Sequence, residues 1–140
     1  MRRWVLLDTG PLVAFLNRRD QYHEWAKAQL DQIEPPLLTC EAVLSEACFL
    51  VSNLKGGSQA VIELVSRELM AVPFRLDAEA VPVAKLLAKY ASIPMSLADA
   101  CLVRMAEQYA SRVVLTLDSD FKLYRKGGRQ VIPTAMPESL

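Results

Sequence analysis

At 140 residues, 52% of them hydrophobic, the chain is long enough to bury a core on both sides of a sheet and too apolar to remain disordered. Its 16 basic and 16 acidic residues cancel, so no global charge draws it to nucleic acid, and any such binding must come from local clusters. A single histidine excludes a His-rich metal site and leaves acid–base chemistry largely to carboxylates. Cys40, Cys48 and Cys101 form no C-x-x-C pair and read as small core residues in a reducing compartment. Arg2-Arg3 before an apolar run resembles a signal-peptide start, but Asp8 and Pro11 interrupt it, and no stretch approaches transmembrane length. The expectation is one domain over residues 1–140, soluble and cytoplasmic.

Trp4-Val5-Leu6-Leu7 runs without alternation into Asp8 and a Thr-Gly-Pro turn, the pattern of a strand buried on both faces of a parallel sheet. Pro11 suits the first turn of a helix that extends to Leu16. A second helix is predicted from Tyr22 to about Ile33, ended by Glu34-Pro35-Pro36. Leu37-Leu38-Thr39 reads as a second strand, with Thr39 as N-cap of a third helix through Leu54. Ser58 opens a fourth helix to about Met70, and Ala71 to Arg75 is a strand that Pro73 consigns to a sheet edge or a strand start. Asp77 caps a fifth helix to Tyr90, and Ser96 begins a sixth that ends near Ala110. Arg112 to Leu117 is a second central strand, Phe121 to Tyr124 a single helical turn, and Val131-Ile132-Pro133 a short last strand. Strands alternating with helices predict an α/β sandwich of three layers, a mainly parallel twisted sheet flanked by helices on both faces.

Four carboxylates are set apart by position. Asp8 and Asp118 each end a central strand, on the edge where open α/β sheets place their ligands. Glu46 has Val43 and Leu50 as helical neighbours and borders an apolar face, so either it is a surface acid at the stripe's margin or something positive compensates it. Asp99 completes a capping box with Ser96, which alone accounts for an acid there, yet it also leans toward Leu102 and Val103. Four acids meeting on one edge would repel one another without a cation, and hard ions such as Mg2+ or Mn2+ prefer carboxylate oxygens.

These segments resemble the PIN-domain ribonucleases, in particular the VapC-type toxins of prokaryotic toxin–antitoxin pairs. The resemblance rests on Leu7-Asp8-Thr9-Gly10-Pro11-Leu12-Val13-Ala14, on Thr39 to Leu50 with Glu46, on Ser96-Leu97-Ala98-Asp99-Ala100, and on Thr116-Leu117-Asp118-Ser119-Asp120-Phe121. It implies that Asp8, Glu46, Asp99 and Asp118 hold Mg2+ or Mn2+, with Asp120 a substitute ligand or merely a strand terminator. It also implies supporting hydroxyls at Thr9 and Thr116, and Gly10 standing where many relatives carry Asn or Ser. The activity so implied is endonucleolytic cleavage of single-stranded or loop RNA by an activated water, with a homodimer and a cognate antitoxin as partners.

Substrate grip would then fall to Lys122, Arg125, Lys126 and Arg129 after Asp118, and to Arg18 and Arg19 after the first helix, unless these are only solvated loops. His23 is a helix-surface residue or a contact to RNA or partner. Asp8-Thr9-Gly10 also matches the aspartic-protease triplet, but that chemistry needs two such carboxylates in a β-rich setting. A phosphatase with a nucleophilic Asp usually keeps a second acid two residues on, where Gly10 stands. The remaining alternatives are a PIN-like RNA-processing nuclease without antitoxin and a PIN-fold binding or regulatory module without turnover.

Overall fold

The computed structural model describes residues 2–140. Five strands, β1 (Leu6–Leu7), β2 (Leu37–Leu38), β3 (Met70–Ala71), β4 (Val114–Leu115) and a last one at Thr134–Ala135, form one parallel sheet in the order β3-β2-β1-β4 and then the last strand. Helices α1 (Thr9–Leu16), α2 (His23–Asp31), α3 (Glu41–Leu50), α4 (Gly57–Ser66), α5 (Leu76–Lys89) and α6 (Leu97–Gln108) flank it, as the alternating pattern predicts. Helix α1 packs on α2, α3 and α4, while α5 pairs with α6; α3 touches both groups.

Strand order explains where the acids fall. The chain leaves β1 toward β2 on one side, and β4 continues to the last strand on the other, so β1 and β4 flank the point at which winding reverses. Their ladder fixes the register at that point: Asp8 N donates to Leu115 O at 3.0 Å, and Leu6 N to Val113 O at 2.9 Å. Leu6, Leu7, Val114 and Leu115 are all buried, which is why these runs show no polar alternation.

Several expectations need correction: the third helix ends at Leu50 rather than Leu54, and the strand expected at Ala71 to Arg75 is Met70–Ala71. Thr39 does not cap α3: Cys40 holds that position without a side-chain hydrogen bond, and the buried Thr39 hydroxyl instead donates to Leu7 O at 2.8 Å. Asp77 lies inside the first turn of α5 rather than at its cap, paired with Arg75 at 2.9 Å. The last sheet strand is Thr134–Ala135, not Val131 to Pro133. Gln130–Val131 (β6) pairs antiparallel with Arg125–Lys126 (β5) in a separate hairpin, and the sheet strand is β7. The reason is burial: Val131 is 64% exposed and cannot belong to a covered sheet, whereas Ile132 faces the core. The single helical turn expected at Phe121 to Tyr124 is present as a 3-10 turn two residues earlier (Ser119–Lys122), and this hairpin follows it. All three cysteines are free thiols. Among the described residues no helix is long and apolar enough to cross a membrane.

Candidate active site

Asp8 is the N-cap of α1 and 5% exposed. Its Oδ1 accepts from Thr9 N at 2.8 Å, and its Oδ2 accepts from the Thr116 hydroxyl at 2.6 Å. Thr116, fully buried after β4, accepts in turn from Asp118 N at 2.9 Å. One hydroxyl thus joins the acids at the ends of β1 and β4. Thr9 extends the set across α1: its hydroxyl donates to Glu46 Oε1 at 2.8 Å, which fixes the half-buried Glu46 on α3. The sequence suggested a positive partner for Glu46; the partner is this neutral hydroxyl, and no ion pair among the described residues involves Glu46.

Asp99 serves two purposes at once. The capping box is formed, with Asp99 N donating to Ser96 Oγ at 3.0 Å and Ser96 N to Asp99 Oδ2 at 3.2 Å. The same Oδ2 accepts from the hydroxyl of Tyr124 at 3.2 Å. Tyr124 is fully buried, and the sequence marks it only as the end of a helical turn. Asp118 caps the 3-10 turn through Oδ1, which accepts from Asp120 N at 2.9 Å. Asp120 gives the described acids no side-chain hydrogen bond and stands two residues further along that turn.

Charge at this edge is poorly compensated. Burial pushes the Asp8 carboxyl up to about 7; hydrogen bonds from Thr116 and Thr9 oppose the rise, and repulsion from Asp99 and Asp118 adds to it. Asp99 is raised as well, by burial first, against the Ser96 N–H, with repulsion from Asp118 contributing. Asp8, Asp99 and Asp118 therefore lie within Coulombic reach of one another, and Thr9 connects Glu46 to Asp8 through its hydroxyl and its backbone N.

Gly10 has a steric reason. A Cβ there would meet Leu117 Cβ at 3.0 Å, so the start of α1 packs directly on the residue before Asp118. A side chain there would have to displace Leu117 by a few tenths of an ångström, so glycine permits the close approach of the two acid-bearing segments.

The basic residues divide. Lys122 donates through Nζ to Leu140 O, and the Arg125 guanidinium donates to Lys122 O and Tyr124 O at 2.7 and 3.0 Å. Lys126 lies half-buried in β5 and Arg129 is exposed in the hairpin turn, both on the segment that follows Asp118. Arg18 and Arg19 are exposed beyond the C-terminal end of α1, about 12 Å along the helix from Asp8 at 1.5 Å per residue. His23 Nδ1 donates to Ala14 O at 2.8 Å and ties α2 to α1.

A family model for the PIN domain matches residues 5–127, from the first strand to the hairpin turn. The chain belongs to the PIN domain family. It is 28% identical over 118 residues to ribonuclease VapC26 of Mycobacterium tuberculosis (strain ATCC 25618 / H37Rv), over 81% of this chain and 86% of that protein. Its fold is similar to that of Mycobacterium tuberculosis VapC20, a sarcin-ricin loop cleaving toxin: the TM-score is 0.70 at 22% identity, covering 85% of this chain and 93% of VapC20.

In this PIN domain no three His, Cys, Asp or Glu side chains among the described residues converge tightly enough to form a ready-made cation cage. The donor set nevertheless fits a hard divalent ion in its chemistry. Glu46 Oε2, Asp99 Oδ1 and Asp118 Oδ2 take no hydrogen bond from the described residues, and every support is a neutral hydroxyl or amide.

Proposed function

We propose that this chain is a metal-dependent endoribonuclease that cleaves single-stranded or loop RNA, the toxin of a type II toxin–antitoxin pair. The observation that carries the reading is Asp8, a carboxylate buried at the reversal point of the sheet within Coulombic reach of Asp99 and Asp118, with no ion pair to balance it among the described residues. Membership of the PIN domain family and the similarity to a VapC ribonuclease support the same reading. Asp8, Glu46, Asp99 and Asp118 would hold the ion, with Asp120 in reserve beside Asp118. Mg2+ or Mn2+, when bound, would acidify water and neutralise charge on the scissile phosphate.

The chain's own residues supply position. Thr116 holds Asp8 and the backbone of Asp118 at a fixed separation, and Thr9 holds Glu46 against α1. Burial of Asp8 keeps bulk water from its carboxylate. Lys122, Arg125, Lys126 and Arg129 would grip phosphates beside the acids, whereas Arg18 and Arg19 would reach only flanking ones. An antitoxin and a second copy of the chain are the partners we propose; the latter accords with Phe49, 76% exposed, and Leu50, 53% exposed, at the end of α3.

The test is cleavage of a mixed RNA pool with Mn2+ or Mg2+ by wild type and by Asp99→Asn prepared identically. Asn keeps the shape and much of the capping ability, so activity lost in a folded variant supports a carboxylate centre. Equal activity of the two proteins, or none in wild type with either ion, would refute it.

A further inference from the structure

We propose that Tyr124 is a positioning residue of the nuclease centre: with the Ser96 N–H, its hydroxyl occupies Oδ2 of Asp99 and leaves Oδ1 as the one oxygen free to take a cation. This inference rests on the proposed metal-dependent reading. An aspartate's χ2 torsion is broad and roughly two-fold, so a carboxylate at a helix start can exchange its two oxygens unless something distinguishes them. Here two donors from separate parts of the chain, both at 3.2 Å, select the same oxygen. Each of the two alone would leave Asp99 room to turn. Together they bracket Oδ2.

The phenol can act in this way because it is itself held. Tyr124 is fully buried and meets Phe121 and Tyr90 edge to face, each with ring centroids 5.1 Å apart, at 86° and 70°. Its backbone N donates to Asp120 O at 3.1 Å, which anchors it to the 3-10 turn that Asp118 caps. The ring therefore spans from the Asp118 turn to the start of α6 and sets the separation of two proposed ligands as well as the orientation of one. A ring that only filled the core would need no hydroxyl, and the neighbouring Tyr90 provides the contrast: its hydroxyl accepts from Arg125 N at 2.9 Å and has no hydrogen bond to any of the four acids.

The experiment compares Tyr124→Phe, Tyr90→Phe, Asp99→Asn and wild type in the full chain, measuring the Mn2+ dissociation constant by EPR of free Mn2+ alongside the melting temperature. Removing a partner that orients a metal ligand typically weakens metal affinity 10–100-fold. Tyr124→Phe should weaken Mn2+ binding about tenfold or more while staying folded, and its RNA cleavage should recover at saturating Mn2+. Tyr90→Phe, which deletes one hydroxyl from the same aromatic cluster, should bind Mn2+ as wild type does. Equal Mn2+ affinity in Tyr124→Phe and wild type overturns the role of Tyr124 but leaves the nuclease centre standing if Asp99→Asn binds weakly. Equal weakening in both Phe variants overturns it too, because the cluster's packing rather than the bond to Asp99 would then be responsible. If Asp99→Asn binds as tightly as wild type, or wild type does not bind, the metal-dependent reading fails and the inference falls with it.

Discussion

Asp8→Asn should make the metal-free protein more stable at neutral and alkaline pH, although it removes a central residue of the site. Burial raises the Asp8 carboxyl from 3.8 in the unfolded chain to about 7 in the fold. A raised acid binds its proton more tightly when folded, so stability is full below about pH 4, falls through the window up to about 7, and has lost its whole contribution above it. At 1.36 kcal/mol per tenfold the loss has a ceiling of about 4 kcal/mol, of which about 2–3 kcal/mol falls between pH 5 and pH 8. Asn keeps the shape and an acceptor but carries no charge, so its stability relative to wild type should rise across the same window. For a chain of this length that corresponds to a relative gain of roughly 6–10 °C in melting temperature on going from pH 5 to pH 8. Urea denaturation at both pH values, with chelator present, measures it. Added Mn2+ should invert the order by stabilising wild type alone. A wild type no less stable than Asp8→Asn at pH 8, relative to pH 5, would refute the argument that Asp8 is a buried and uncompensated charge.

Thr116→Val removes the hydroxyl that donates to Asp8 and accepts from Asp118 N. One buried and one half-buried partner lose a bond, so chemical denaturation should show a loss of about 2–3 kcal/mol, and RNA cleavage at fixed Mn2+ should fall at least tenfold. Gly57→Ala places a Cβ 2.2 Å from Val51 O, a backbone atom that cannot swing aside; a loss of about 2 kcal/mol or more is expected on thermal unfolding, as for other overpacked sites. Lys122→Gln with Lys126→Gln should raise KM for RNA, with kcat little changed. The slope of log affinity against log salt should fall by about 0.7 for each phosphate that is no longer neutralised. The matching Arg18→Gln with Arg19→Gln, at the far end of α1, should reduce that slope less, as a salt titration of RNA binding would show.

The parts of this fold that are legible in the sequence are those fixed by one segment alone. Val5 to Leu7 and Val114 to Leu115 are apolar without alternation because they are buried in the middle of a sheet covered on both faces, and the Asp shortly after each run is therefore conspicuous, whereas Trp4, included in the same run by the pattern, is exposed. The Ser96–Asp99 capping box is local too, and the structure contains it, with a second hydrogen bond to Asp99 from the buried Tyr124 hydroxyl. What escapes are relations between segments. Thr9 and Glu46 are 37 residues apart and meet only because α1 packs across α3. Tyr124 stands 25 residues from Asp99, in the mostly polar stretch Lys122-Leu123-Tyr124-Arg125-Lys126, where nothing marks one aromatic as buried. Its spacing of three from Phe121, on one face of a turn, is the available signal. The last strand is misplaced by the pattern for a similar reason: Val131 and Ile132 look alike in sequence, but the hairpin takes one and the core the other.

The supports of the acids have a common character that bears on their use. Elsewhere the chain neutralises carboxylates with cations: Arg104 pairs with Glu79 at 2.6 Å and with Glu107 at 3.3 Å, Arg75 with Asp77, and Arg3 with Glu34. At the reversal point of the sheet it uses threonine and tyrosine hydroxyls and backbone N–H groups instead. An arginine there would have bonded two carboxylates, lowered their pKa values and stabilised the apo fold, and in doing so would have occupied the oxygens a metal needs. A hydroxyl fixes where a carboxylate points without supplying a counter-charge. The repulsion left among Asp8, Asp99 and Asp118 is thus the expected condition of a site whose balancing charge is to come from outside the chain, and the alkaline instability that Asp8→Asn should relieve is the thermodynamic form of that same deficit.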